Sequence, residues 1–249
     1  MRICDRHRGA GADGVLEPVA NEAGDYGLRI WNPDGSQAEK SGNGLRIFAR
    51  YLYDHCGAPA NFTVELPNES AQCSVHSDGR VSVDMGCAQF DPSENLTRDR
   101  VWLRPLTVGG VDLRCCAVSV GNPHCVVPFE TETDLDGLDW LSWGAIIENH
   151  KWFPNRTNVQ FLKPIDENTI EIRVWERGAG KTQASGSSAV AAFAVARRLN
   201  WISARASVRM PGGSLDVEET PSGRLYQTGP VVEIGEFYLR SAELYRESS

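Results

Sequence analysis

Two short serine-bearing stretches have the composition to do chemistry at the starts of helices. In "AEKSGNGLRIFARYL", Ser41 stands just before Gly42 and Asn43. In "TQASGSSAVAAFAVARRL", Ser185 stands in the same way before Gly186 and Ser187. A helix N-terminus offers unpaired backbone N–H groups and a partial positive charge, so it attracts carboxylates and phosphates. Two such turns acting together would hold an anionic ligand from both ends. The same residue types also suit plain N-caps, in which the serine hydroxyl satisfies a first-turn N–H group. On spacing alone both readings stay open.

Four further stretches gather polar residues: Asn32 in "WNPDG", Asn122 and His124 in "GNPHC", Asn158 in "RTNVQF", and Glu176 and Arg177 in "WERGAG". Each has an ordinary explanation by itself, since Asn before Pro is common turn chemistry and a lone His after Pro is usually structural. Taken with the paired turns they form a coherent set. Arg177 can fork onto a carboxylate, and the asparagines can bind an ammonium and a carboxylate together. His124 and Glu176 can take part in proton transfer.

The elements that must position these residues are mostly strands. Alternating apolar patterns occur in "FTVEL", "RVSVDM", "DLRCCAVSV", "HCVVPF", "NVQFL", "TIEIRVWE", "ASVRM", "SLDVEE" and "VVEIGEFYL". Two helices stand out. "GLRIFARYLYDH" carries Leu45, Phe48 and Leu52 on one side with Ile47 at its margin, and "SSAVAAFAVARRLN" is apolar nearly all round, which predicts deep burial. Aligning Ser41 with Ser185, 144 residues apart, also aligns Gly42 with Gly186 and a helix with a helix. That separation is too long for a stacked repeat and predicts an α+β protein of two similar halves. A cleft between such halves would bring both helix N-termini to one place, and ligand sites favour interfaces of this kind.

Composition narrows the classes. With 249 residues, 41% hydrophobic and 23% charged, the chain can bury a proper core. A net charge of −8 with scattered basic residues argues against nucleic acid as a partner. No uninterrupted apolar run approaches bilayer length, and "MRICDRHRGAGADG" lacks the apolar centre of a signal peptide, so no membrane association and a cytoplasmic location are expected. The seven cysteines contain no C-x-x-C pair and the five histidines are spread singly, which points to free thiols and no metal site. No dinucleotide fingerprint or P-loop occurs, so no cofactor is expected.

Read in order, "CDRHRGAGADGVL", "WNPDGSQAEKSGNGLRIFARYL", "GNPHCVV", "NVQF", "ERGAGKTQASGSSA", "RMPGGSLDVEE" and "TGPVVEIGEF" span nearly the whole chain and resemble the diaminopimelate epimerase family, pyridoxal-independent amino-acid racemases. The resemblance implies two pseudo-symmetric lobes, each a curved, mostly antiparallel sheet wrapped around a central helix, with the active site in the cleft between them. The expected lobes are 1–105 with 231–249, and 106–230. It implies that Asn32, Asn122, Asn158, Glu176 and Arg177 bind substrate. Gly42, Asn43, Gly186 and Ser187 would supply N–H groups to its carboxylate, and His124 and Glu176 would support the acid/base residues at Ser41 and Ser185. The substrate implied is diaminopimelate in lysine biosynthesis, inverted at Cα by two-base proton transfer, and the assembly implied is a homodimer.

Two departures from the family pattern bear on mechanism. The family carries a cysteine at each turn, and here both positions are serine. A thiol titrates near 8.5 and a hydroxyl near about 15, so at about 1.36 kcal/mol per unit the alkoxide costs roughly 8–9 kcal/mol more. His124 or Glu176 acting as base through the hydroxyl would offset part of that. The family also opens with a further strand and loop before "CDRH", carrying one more substrate-contacting Asn, and a start assigned too late is the expectation here. Two alternatives accompany the epimerase reading. One is a one-face proton transfer, such as dehydration or double-bond isomerisation, with Glu39 or Lys40 beside Ser41 as base. The other is a homologue that binds an amino acid without turning it over.

Overall fold

The computed structural model describes residues 2–20 and 26–238. The chain divides into two compact units, one running up to Val81 and resuming at Pro230, the other formed by Ser82–Gly229.

In the first unit, β1 (Val15–Ala20) and β2 (Tyr26–Trp31) pair antiparallel, with Val15 opposite Trp31. The helix α1 (Gly42–His55) then carries the chain to β3 (Asn61–Glu65), which runs parallel to β2, and β4 (Ser70–Val75) returns antiparallel to β3. Alternation does the positioning: Phe62 and Val64 are buried on one face of β3, as are Ala71, Cys73 and Val75 on β4. On α1 the apolar stripe is Leu45, Phe48, Ala49 and Leu52, all buried. Ile47 lies outside it at 50% exposure, sharing the outer face with Tyr51 one turn on.

The second unit holds β5 (Val81–Cys87), β6 (Arg104–Val108), β7 (Val111–Ser119), β8 (Pro123–Pro128), α2 (Trp140–Glu148) and β9 (Asn158–Asp166). These are followed by β10 (Thr169–Glu176), β11 (Gly180–Thr182), α3 (Gly186–Arg198), β12 (Arg205–Met210), β13 (Gly213–Glu219) and β14 (Arg224–Gly229). Its strands lie in the order β5-β14-β13-β12-β10-β9-β8-β7-β6, with β11 folded back onto β10. Most neighbours are antiparallel; β10/β12 and β8/β9 are parallel. The helix α3 packs against β7, β8, β9, β10, β12, β13 and β14, and every residue from Ser188 to Ala196 is buried. Its alanines let the surrounding backbone come close, and the all-round apolar composition fits a central helix. The fold is therefore α+β, two units each built from a mostly antiparallel sheet and a principal helix.

The duplication extends beyond the two turns. Shifted by 144 residues, β1, β2, α1, β3, β4 and β5 fall on 159–164, 170–175, 186–199, 205–209, 214–219 and 225–231, the places of β9, β10, α3, β12, β13 and β14. Both copies run hairpin, turn, helix, parallel strand, antiparallel strand.

Three features differ from the sequence reading. Residues 82–105, read with the first lobe, belong to the second unit. There β5 lies beside β14, with Ser82 Oγ 2.6 Å from Thr228 Oγ1 and Arg224 Nε donating to Asp84 Oδ2 at 2.7 Å. Leu96 and Val101 join a core with Phe161. The helix α2, unread in the sequence, buries Trp140, Trp143 and Ile147 against that core from a nine-residue segment too short to show a clear period. Residues 231–238, within "VVEIGEFYL", form no regular structure, and Val232, Ile234, Phe237 and Tyr238 are all exposed. Leu239, the last residue of that stretch, lies outside the described residues. No described helix is long and apolar enough to cross a membrane. No His, Cys, Asp and Glu side chains among the described residues group as metal ligands.

Candidate active site

The two serine turns share a backbone and differ in what the hydroxyl does. Ser41 is extended, with φ −134° and ψ 114°, and its Oγ accepts from Gly44 N–H at 3.0 Å. That is a filled N-cap. One turn on, Arg46 is buried on the inner face of α1 and donates to Asn43 Oδ1 at 2.9 Å, fixing that side chain at the first turn. Burial lowers the guanidinium pKa to about 10, which leaves it charged. Asn32 donates through Nδ2 to Ser36 Oγ at 2.9 Å, while Asp34 accepts from both the N–H and the hydroxyl of Ser36. Lys40 is buried and donates to Glu69 Oε2 at 2.7 Å, so its ammonium is committed to an ion pair and is unsuited to act as a base. Glu39 is exposed.

Ser185 has nearly the same backbone, φ −142° and ψ 126°, yet its side chain accepts no hydrogen bond from α3. It is 4% exposed; its carbonyl accepts from Ala189 N–H at 3.0 Å and its own N–H faces Met210 Sδ at 3.4 Å. Its hydroxyl is thus buried at a helix start and unused by the helix. Gly186 follows for steric reasons, because a Cβ there would lie 2.5 Å from Gln227 Oε1.

Around that turn the second unit assembles most of the remaining polar residues. His124 and Asn158 sit opposite each other on the parallel strands β8 and β9. His124 Nε2 lies 2.8 Å from Asn122 Oδ1, and Asn122 Nδ2 faces Ser187 Oγ at 3.5 Å. Asn158 donates through Nδ2 to Pro123 O at 3.0 Å and accepts from Arg177 N–H at 2.9 Å, tying the β8 start to the β10–β11 turn. Burial pushes the His124 pKa down to about 3, and the charge of Arg177 acts in the same direction, so the imidazole is neutral. Glu176 Oε2 accepts from Thr182 Oγ1 at 2.9 Å across the hairpin.

That hairpin turns on Gly178 and Gly180, both in the left-handed region at φ 80° and 79°. Glu148, buried near the end of α2, braces it. Its carboxylate accepts from Gly178 N–H at 2.9 Å, from Arg156 Nη1 at 3.0 Å and from Trp175 Nε1 at 2.8 Å. Arg177 is thus held at its backbone by Asn158 and at the next residue by Glu148, while its guanidinium donates to Asn155 O at 3.2 Å.

Of the residues singled out in the sequence, Asn122, His124, Asn158, Arg177 and Ser187 are joined by hydrogen bonds or strand register, with Glu176, Ser185 and Gly186 in the adjoining turns. Asn32, Ser41, Gly42 and Asn43 lie in the first unit, each in its own local hydrogen bonds. The residues missed were Arg46, Glu148 and Gln160. All three are buried. Gln160 falls on the polar phase of an alternating strand and Glu148 in a helix too short to show a period, so neither carried a signal in the sequence, whereas Arg46 stands among the buried positions of α1.

The fold is similar to that of several solved proteins. It matches a phenazine biosynthesis protein of the PhzF family from Enterococcus faecalis with a TM-score of 0.64 at 13% identity, over 91% of this chain and 83% of that one. It also matches a hydroxyproline epimerase from Agrobacterium vitis with a TM-score of 0.62 at 13% identity, over 92% and 76%. In sequence, residues 1–90 and 116–234 fit the family model of diaminopimelate epimerase. The chain is 38% identical over 260 residues to diaminopimelate epimerase 2 of Nostoc sp., spanning 98% of this chain and 86% of that one. The chain belongs to the diaminopimelate epimerase family.

Proposed function

We propose that the protein is a cofactor-independent amino-acid epimerase acting on diaminopimelate, moving the Cα proton between the two faces of the substrate in lysine biosynthesis. The observation that carries the reading is Ser185: a buried hydroxyl at the start of α3, free of any capping role, beside a connected set of amide and guanidinium groups. Family membership supports the substrate.

In this reading Gly186 and Ser187, with Gly42 and Asn43, offer N–H groups to the substrate carboxylate, and Arg177 pairs with a carboxylate. Asn32, Asn122, Asn158 and Glu176 bind the polar groups that remain. Ser41 and Ser185, one from each unit, occupy the proton-transfer positions, and Glu176 accepts the proton that a serine must shed to act as base. His124 is neutral and its Nε2 engages Asn122, which suits orienting the binding set better than carrying a charge. The enzyme works in the cytoplasm, as a homodimer. The test is incubation of LL- and meso-diaminopimelate with the protein in deuterated water. Deuterium at Cα together with interconversion of the isomers is expected; no exchange in either isomer at high enzyme concentration removes the reading.

The one-face alternative keeps one specific observation in its favour. Ser41 Oγ is occupied by Gly44 N–H whereas Ser185 Oγ is not. A single competent face would give deuterium exchange without inversion in the same experiment.

A further inference from the structure

One carboxylate holds both flanks of the Glu176–Arg177 pair. Glu148 Oε2 accepts from the Trp175 indole N–H at 2.8 Å, on the residue before Glu176. Glu148 Oε1 accepts from Gly178 N–H at 2.9 Å, on the residue after Arg177, and from Arg156 Nη1 at 3.0 Å. The main-chain carbonyl of Glu148 accepts from Thr157 N–H at 3.2 Å, next to Asn158, whose Oδ1 in turn accepts from Arg177 N–H. Glu148 is 5% exposed, so water competes little for these bonds.

The helix α2 is shaped to receive the indole. A Cβ at Gly144 would lie 2.7 Å from Trp175 Cγ and 2.8 Å from Trp175 Cβ, so a glycine is needed for that side chain to rest against the helix. Glu148 stands one turn further along the same face of α2, where it meets Nε1. The first copy uses the same device in a looser form. Trp31, 144 residues before Trp175, bridges to Gln37 as Trp175 pairs with Lys181, and its Nε1 donates to Glu17 Oε2 at 2.8 Å just ahead of Asn32. Glu17 keeps 45% of its side chain exposed and comes from β1, not from a helix. In both copies a tryptophan latched to a carboxylate precedes a residue assigned to the substrate.

We propose that Glu148 is a positioning residue: from α2 it sets the placement of Glu176 and Arg177 by fixing Trp175 and Gly178 on either side of them. This step rests on the reading that Glu176 and Arg177 engage the amino acid. A carboxylate is required because three donors converge on it, from Trp175, Gly178 and Arg156. Glutamine has one acceptor oxygen, and its NH2 group would face either the indole N–H or the donors of Gly178 and Arg156. The hairpin would then lose one of its two anchors.

The test uses the intact protein and two readouts. Hydrogen exchange followed by mass spectrometry, without ligand, is expected to show residues 176–180 exchanging about tenfold faster in Glu148→Gln than in the wild type, with residues 159–162 of β9 unchanged. Calorimetry is expected to show meso-diaminopimelate bound about tenfold more weakly. Trp175→Phe keeps a ring against Gly144 and removes only the donor. It is expected to move both readouts the same way by about threefold, and it decides the question where Glu148→Gln does not fold. Unchanged exchange at the hairpin overturns the proposal, and so does faster exchange with undiminished affinity. Exchange raised equally in β9 also overturns it, since that marks a general loss of stability. A wild type that neither binds nor turns over diaminopimelate counts against the epimerase reading, whereas the hairpin exchange is read without ligand.

Discussion

His124 lies on β8, between β7 and β9, with no exposed surface, and its pKa falls from 6.5 to about 3 because the ring is desolvated, a shift that Gln160 opposes in part and the charge of Arg177 reinforces. Between those two values the unfolded chain binds a proton that the folded chain refuses. Stability contributed by the neutral ring is fully present above pH 6.5 and declines as pH falls, by at most about 1.4 kcal/mol per unit. His150 is also lowered by burial and acts in the same sense, while His55, raised by Glu233, acts in the opposite one. The carboxylates held low, Asp34 by Ser36 and Asp136 by Arg173, lose their contribution only below their ordinary value of 3.8. Urea midpoints measured from pH 6.5 to 4.5 should therefore fall more steeply for the wild type than for His124→Asn. Equal slopes would show that the ring titrates normally. The sequence located this histidine through "GNPHC" but could not show its setting, because Gln160, between Val159 and Phe161, reads as one more residue of a strand.

At the scale of elements, the two helix starts make opposite statements about their serines. Ser41 Oγ caps α1 through Gly44 N–H, so Ser41→Ala should cost about 1 kcal/mol of stability. Ser185 makes no such bond, and Ser185→Ala should change stability by less than about 0.5 kcal/mol. The comparison needs only unfolding midpoints of the two variants. A loss at Ser185 as large as at Ser41 would mean that its hydroxyl serves the helix after all. Elements with a strong period were legible: β3, β7, β9, β10, β12 and the buried α3 all appeared as strands or helix in the pattern. Nine-residue α2 and three-residue β11 were not, since each owes its form to tertiary contacts, α2 through Trp140 and Ile147 in the core and β11 through its pairing with β10. Val231 to Tyr238 failed the other way. Their alternation suits a strand, but alternation supplies no partner ladder.

For the whole molecule, the 144-residue offset carries the argument from fold to reaction. It was visible in the sequence as two similar turns and holds in the structure for six elements in each copy. The boundary was less legible, because β5 is the last element of the first copy yet packs beside β14, and no composition change marks the passage at residues 81–82. A duplicated unit supplies one serine per copy, and an epimerase needs one proton taken and one returned. If thiol loss alone limits the reaction, Ser41→Cys combined with Ser185→Cys should raise epimerisation of diaminopimelate at least tenfold. The thiol lowers the cost of making the base by several pK units at nearly the same volume. Each single change should act on one face of Cα only. Ser185→Cys alone should accelerate deuterium exchange with little inversion, since Ser185 has no capping bond to lose. Ser41→Cys should gain less, because the thiol replaces an oxygen that holds Gly44 N–H. Proton NMR of each isomer in deuterated water separates exchange from inversion. Should the wild type already invert its substrate as fast as the double variant, the serines are not the weak point. Proton transfer would then run through Glu176, and a Glu176→Gln variant should lose inversion while the double cysteine change leaves the rate where it was.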